Sequence, residues 1–147
     1  PEVDYLMTAE AKGICLTYEM SRIMGMKEFI VARKSRKPYM VNPVSHHVFS
    51  VTTQKDQTLW LDGCDADKIR GKRVALIDDV IATGESLAAI ESLAQTAGAN
   101  VVARAAILAE LGAVNRKDII YLKEHYVFRV NPDGSFTPIR SLEEANQ

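Results

Sequence analysis

A chain of 147 residues suits one domain, and an α/β core of that length can bury most of its apolar surface without disulfides or a structural metal. Hydrophobic residues make up 47% and charged residues 25%, the balance of an ordinary folded domain rather than a disordered or collagenous chain. The formal net charge of -1 gives no global attraction to nucleic acid, and no apolar run approaches the roughly 20 residues of a membrane helix.

The chain opens with Pro1-Glu2-Val3-Asp4, and strand-like residues begin almost at once, so a preceding N-terminal segment is expected. Val3 to Thr8 reads as a buried strand, followed by a tight loop from Ala9 to Gly13. Ile14 to Met24 reads as a helix whose apolar residues are Ile14, Leu16, Met20, Ile23 and Met24, with Gly25 as its stop. Phe29 to Ala32 is a second strand, running into the basic cluster Arg33, Lys34, Arg36 and Lys37.

Pro38 to His47 is expected to belong to a mobile lid, in which His46 or His47 is either an acid-base group or an ordinary loop residue. His47 to Thr52 and Thr58 to Leu61 are rich in β-branched and aromatic residues and predict a hairpin turning through Gln54-Lys55-Asp56-Gln57. Asp62 to Gly71 reads as a polar connection. Val74 to Ile77 is a core strand with Lys72 and Arg73 outside it, and Glu85 to Ala97 is a helix with Leu87, Ile90, Leu93 and Ala94 on its apolar face. Val101 to Leu108 is the next strand, and two short strands are expected around Asn131-Pro132-Asp133-Gly134 in the tail from His125 to Ile139. Strand and helix alternate, which argues for an α/β fold: a mainly parallel central sheet flanked by helices, in one domain over residues 1–147. Cys15 and Cys64 form no CxxC or zinc-ligand spacing and read as buried or incidental thiols of a reducing cytosol.

The chemistry concentrates in Asp78-Asp79-Val80-Ile81-Ala82-Thr83-Gly84-Glu85-Ser86. An acidic pair where a buried parallel strand runs out stands where open α/β sheets place ligands. Thr83 to Ser86 then opens a helix, whose unpaired N–H groups and partial positive charge suit a phosphate. Gly84 lets backbone approach the anion, and the hydroxyls of Thr83 and Ser86 can donate to it. The two carboxylates would repel a phosphate, so they need another purpose: accepting vicinal sugar hydroxyls, or holding Mg²⁺ directly or through water. A sugar phosphate satisfies both halves. Without GK[ST] there is no Walker loop.

This segment resembles the PRPP-binding signature of type I phosphoribosyltransferases, an apolar strand, two acids, a short link and Thr-Gly with a hydroxyl pair. Ala9-Glu10-Ala11-Lys12-Gly13, Ala32-Arg33-Lys34 and Val48 to Gln57 are similar to the pyrophosphate loop, the basic strand end and the post-lid β-region of adenine and xanthine phosphoribosyltransferases. Glu85-Ser86 departs from the Gly-Thr or Gly-Ser of many members; a first-turn acid can point outward and favour the helix dipole.

The resemblance implies a phosphoribosyltransferase-like domain with a hairpin and mobile-loop insertion, and a small N-terminal hood that supplies base contacts. It implies transfer of ribose 5-phosphate from PRPP to a purine base, with Mg²⁺ as cofactor. Asp78 and Asp79 would hold the ribose hydroxyls or the metal; Ala82, Thr83, Gly84, Glu85 and Ser86 would hold the 5-phosphate. Ala11, Lys12 and Gly13, in some members through a cis peptide, would hold pyrophosphate together with Arg33 and Lys34. A cytoplasmic homodimer is expected. The alternative is a non-catalytic PRPP- or nucleotide-sensing transcription regulator, the one reading in which nucleic acid is a partner.

Overall fold

The computed structural model describes residues 1–50, 55–139, 141 and 144. Five strands form one parallel sheet: β1 (Tyr5–Ala9), β2 (Ile30–Ala32), β5 (Arg73–Ile81), β6 (Asn100–Ala109) and β7 (Ile120–Glu124), in the order β2-β1-β5-β6-β7. Two antiparallel hairpins complete the strands: β3 (Val44–Ser50) with β4 (Lys55–Leu61), bridged to the sheet where Trp60 pairs with Arg33 just after β2, and β8 (Val127–Val130) with β9 (Phe136–Ile139). The helices are α1 (Gly13–Ile23), α2 (Gly63–Ile69) and α3 (Glu85–Thr96), with a 3₁₀ turn at Leu111–Asn115.

The period-2 alternation of a strand divides the core between the two faces of the sheet. Leu6, Ala75 and Ile77 face α1, where Leu16 and Met20 cover them. Met7, Val74 and Leu76 face the other way, into a larger core with Leu87, Ile90 and Leu93 of α3, Leu59 and Leu61 of β4, and Ala66 and Ile69 of α2. Helices on both faces explain why β1 and the centre of β5 read as continuous apolar runs.

The α1 helix lies where it was expected, but its buried stripe is Gly13, Thr17 and Ser21, and Ile23 and Met24 are exposed. A Cβ at Gly13 would collide with the Thr8 hydroxyl, so small residues at four-residue steps let the helix lie close to β1. The hydroxyls bond back to the helix itself, Thr17 Oγ1 to the Gly13 carbonyl at 2.7 Å and Ser21 Oγ to the Tyr18 carbonyl at 2.8 Å.

Four sequence expectations are corrected. Residues 62–71 hold α2, whose seven residues bury only Ala66 and Ile69, too few to read as periodic. Arg73 is the first residue of β5, held to Asp4 by backbone and side chain, rather than a flank outside the sheet. Lys55, Asp56 and Gln57 belong to β4 rather than to a turn. His46 and His47 lie in β3, paired with Leu59 and Thr58, so neither stands in an irregular lid. Val51, Thr52 and Gln54 fall outside the described residues. Cys15 and Cys64 are exposed and unpaired. No helix among the described residues is long and apolar enough to cross a membrane.

Candidate functional site

Strand order reverses between β1 and β5: the chain moves outward from β1 to β2 on one side and from β5 to β6 to β7 on the other. The crevice at the carboxyl ends of two such strands is where open α/β sheets bind ligands. Here the strand lengths shape it. The pairing of β1 with β5 ends at Met7↔Leu76, while β5 stays paired with β6 as far as Ile81↔Ala109. Asp78 and Asp79 therefore lie within β5, not beyond it as expected, on a stretch that β1 no longer flanks.

An open cleft of ≈ 280 Å³ occupies that stretch. Asp78, Asp79, Ala11, Lys12, Lys34 and Ser86 all line it, so residues 75 positions apart in sequence converge on one space. A smaller hollow of ≈ 120 Å³ adjoins it and is lined by Ala82, Thr83 and Gly84, sharing Asp78, Val80 and Ser86 with the cleft. The loop after β1 carries a cis peptide at Glu10–Ala11.

The acids are not equivalent. Asp78 Oδ1 accepts the backbone N–H of Asp79 at 2.9 Å. Burial nevertheless pushes the Asp78 carboxyl up to about 6, the neighbouring Asp79 carboxylate adding to the rise while that N–H and the distant Lys34 charge oppose it. A half-buried acid with a raised pKa in a cleft is a mark of a functional site.

In the hollow, Gly84 takes the left-handed conformation at φ 83° just before α3 begins. Thr83 Oγ1 accepts the Glu85 N–H at 3.3 Å and still has its own proton to donate. Glu85 is half-buried and lines neither the cleft nor the hollow, in keeping with a first-turn side chain turned away.

Besides the Glu85 side chain, two expected residues stand elsewhere. Gly13 is buried as the first residue of α1 and serves the packing on Thr8. Arg33 faces a neighbouring hollow with Tyr39 and Met40, and reaches back only to Glu10 at 3.4 Å. Of the pair only Lys34 meets the cleft; Arg33 is the residue bridged to Trp60 of β4. His46 and His47 do not line it either; His47 Nε2 lies 3.5 Å from Asp56.

Several lining residues escaped the sequence reading: Glu10, Gln57, Leu59, Ala89 and Ile90. Glu10 stands inside the Ala9–Gly13 loop, where the sequence already marks it. Gln57 and Leu59 arrive on β4 from a hairpin whose docking against α3 and the end of β2 leaves no local signal.

Among the described residues no three His, Cys, Asp or Glu side chains cluster to hold a metal ion. Two adjacent carboxylates fit Mg²⁺, which commonly keeps its waters and binds one or two carboxylates together with substrate phosphates.

Known proteins match the chain throughout this region. The Phosphoribosyl transferase domain family matches residues 2–133. The adenine phosphoribosyltransferase of Corynebacterium jeikeium (strain K411) is 31% identical over 117 residues, 80% of this chain and 54% of that protein. The hypoxanthine/guanine phosphoribosyltransferase of Methanocella arvoryzae is 34% identical over 100 residues, 68% of this chain and 48% of that protein. The chain thus spans about half the length of the curated relatives it matches. A solved adenine phosphoribosyltransferase from Trypanosoma brucei, in complex with AMP, pyrophosphate and ribose-5-phosphate, superposes with a TM-score of 0.68 at 21% identity, over 84% of this chain and 57% of that one, a likeness of fold. With the match running from the first strand through the acid pair and the phosphate-type loop to the C-terminal hairpin, the chain belongs to the phosphoribosyl transferase domain family.

Proposed function

We propose that the protein is a purine phosphoribosyltransferase, which moves ribose 5-phosphate from PRPP to a ring nitrogen of a purine base and releases pyrophosphate. The observation that carries this reading is the convergence of Lys12, Lys34, Asp78, Asp79 and Ser86 on one cleft at the switch point of a family fold. Adenine and hypoxanthine/guanine enzymes among the relatives support a purine and leave the base open. The ligands of the Trypanosoma brucei enzyme are the chemical parts this cleft would take.

In this reading the carboxylates of Asp78 and Asp79 accept hydrogen bonds from the ribose hydroxyls and fix the sugar. The backbone N–H groups of Ala82 to Ser86, with the hydroxyls of Thr83 and Ser86, hold the 5-phosphate. Lys12 and Lys34 stabilise the charge that gathers on pyrophosphate as the bond to the anomeric carbon breaks. Arg33 joins them only by leaving Glu10. Mg²⁺, when bound with PRPP at the acid pair, supplies further neutralisation of the pyrophosphate. Little covalent chemistry is asked of the protein; orientation of sugar and base does most of the work. The same reading includes a cytoplasmic homodimer, and light scattering of the purified chain checks the oligomer.

The deciding experiment is a pyrophosphate-release assay with PRPP, Mg²⁺ and a panel of adenine, guanine, hypoxanthine and xanthine. Release with one base supports the transferase and names its substrate. PRPP binding without release from any base favours the sensing regulator instead.

A further inference from the structure

The geometry points to Arg116 as a positioning residue of the anion loop: clamped by Asp118, its guanidinium braces Gly84 from outside the hollow and adds a positive charge to the group that Ala82–Ser86 binds. The inference rests on the reading of that loop as the 5-phosphate site.

Arg116 follows the 3₁₀ turn and belongs to none of the family-like motifs in the sequence. Its Nε donates to Asp118 Oδ1 at 2.9 Å and its Nη2 to Asp118 Oδ2 at 2.5 Å. This fork-to-fork pair fixes the plane of the guanidinium and leaves Nη1 as its third edge. Nη1 is the atom that a Cβ at position 84 would strike. The arginine thus fills the space a side chain would need, on the one residue of the loop whose backbone is left-handed.

The surroundings keep the charge in place. Arg104 of β6 is paired with Glu91 on the second turn of α3, with Nε 2.8 Å from Oε2. Asp118 feels both Arg116 and Arg104, and its carboxyl is drawn down to about 2, chiefly by the bond from Arg116. Arg116 is itself attracted by Asp118 first and by Glu91 at longer range. The side chains of Arg116 and Asp118 are 33% and 50% exposed, so each pairwise attraction is modest. Their combined effect is geometric. The fork holds one cation against the backbone that would present N–H groups to a phosphate, and Arg116 lines neither the cleft nor the hollow. It acts through Gly84 rather than by touching the ligand.

The test titrates ribose 5-phosphate and, separately, pyrophosphate with Mg²⁺ into the whole chain by calorimetry, at two salt concentrations. Binding of ribose 5-phosphate by the unaltered protein is read first; its absence overturns the loop reading and this inference with it. Arg116→Met keeps bulk and removes charge. It should weaken ribose 5-phosphate about 5- to 10-fold, flatten the salt dependence of that binding, and leave pyrophosphate unchanged. Arg116→Lys should recover part of the loss, and Asp118→Asn, which frees the arginine without removing it, should weaken ribose 5-phosphate about 2- to 3-fold. Equal affinity in Arg116→Met, or equal weakening of both ligands, overturns the inference. Should Arg116→Met fail to fold, Asp118→Asn alone decides: unchanged ribose 5-phosphate affinity refutes the brace.

Discussion

The Glu10 carboxylate accepts a hydrogen bond from the backbone N–H of Lys34 at 2.6 Å, tying the loop after β1 to the turn after β2. That bond is the main reason the Glu10 carboxyl sits below its ordinary range; Lys37, 4.0 Å away, and Arg33, at 3.4 Å, add to it. The carboxylate therefore orders the basic segment and also occupies two of its cations. Glu10→Gln separates these roles, since an amide oxygen still accepts the Lys34 N–H while the charge is gone. Pyrophosphate affinity, measured by calorimetry, should rise about 2- to 5-fold in Glu10→Gln as Arg33 and Lys37 are released. A fall in affinity would mean that ion pairing, not the backbone bond, holds the segment.

The raised carboxyl of Asp78 makes the ligand-free protein pH-sensitive in a stated direction. An unfolded Asp titrates near 3.9, whereas in the fold Asp78 is pushed up to about 6, chiefly by burial. Between those values the native state holds the extra proton, so stability falls as pH rises through the window and the penalty is complete above it. Asp78→Asn removes the charge and the penalty together. Thermal melts should place the variant about 2–4 °C above the parent at pH 7.5, with the difference gone near pH 4. The same substitution should weaken ribose 5-phosphate binding, so that stability and function move in opposite directions.

Gly84 is constrained twice, by φ 83° and by the Arg116 Nη1 beside it. A left-handed backbone costs an L side chain about 1–2 kcal/mol. Gly84→Ala should lose at least that much in urea unfolding and should lose ribose 5-phosphate binding as the loop shifts. Adding Arg116→Ala should return the steric part and leave the backbone part, a non-additivity that a double-mutant cycle measures.

Gly13 meets a different obstacle, the hydroxyl of the fully buried Thr8 and, at 3.4 Å, the carbonyl of Ile77. Neither is a mobile side-chain end, so Gly13→Ala should cost about 1–3 kcal/mol from overpacking, read by chemical denaturation. Thr8→Ala in the same chain should relieve most of it. Additive losses in the double variant would show that the close approach of α1 to β1 is not what requires glycine.

The elements legible in the sequence were those whose burial is periodic and two-sided. Helix α3 lies within a residue of its expected span because Leu87, Ile90, Leu93 and Ala94 sit on one face of a strand-flanked segment. The acid pair and the loop after it were legible because few other uses explain Asp78-Asp79 followed by Thr83-Gly84. Strand β7 went unread: Ile120 and Leu122 are exposed at the sheet edge, and an edge strand carries little alternation. Arg33, expected beside Lys34, lies away from the cleft for a different reason. Charge and position in sequence pick out Arg33 and Lys34 equally, and only the direction each side chain takes on leaving β2 separates them. Gln57 and Arg116 reach the site region through tertiary packing of β4 and of the 3₁₀ turn, for which no local pattern exists.

The order β2-β1-β5 gives the sheet edge one further property, that of a yardstick. Adjacent strands stand about 4.8 Å apart, a spacing set by backbone hydrogen bonds and indifferent to side chains. Lys34 hangs from the first of these strands, Lys12 from the second, and Asp78 with Asp79 from the third. The lateral pitch between cation, loop and acid is therefore a constant of the sheet, which no point substitution retunes. Only the lengths of the strands and of the loops beyond them remain adjustable, so the distances between these groups can vary in how far each segment projects, not in how far apart the strands stand.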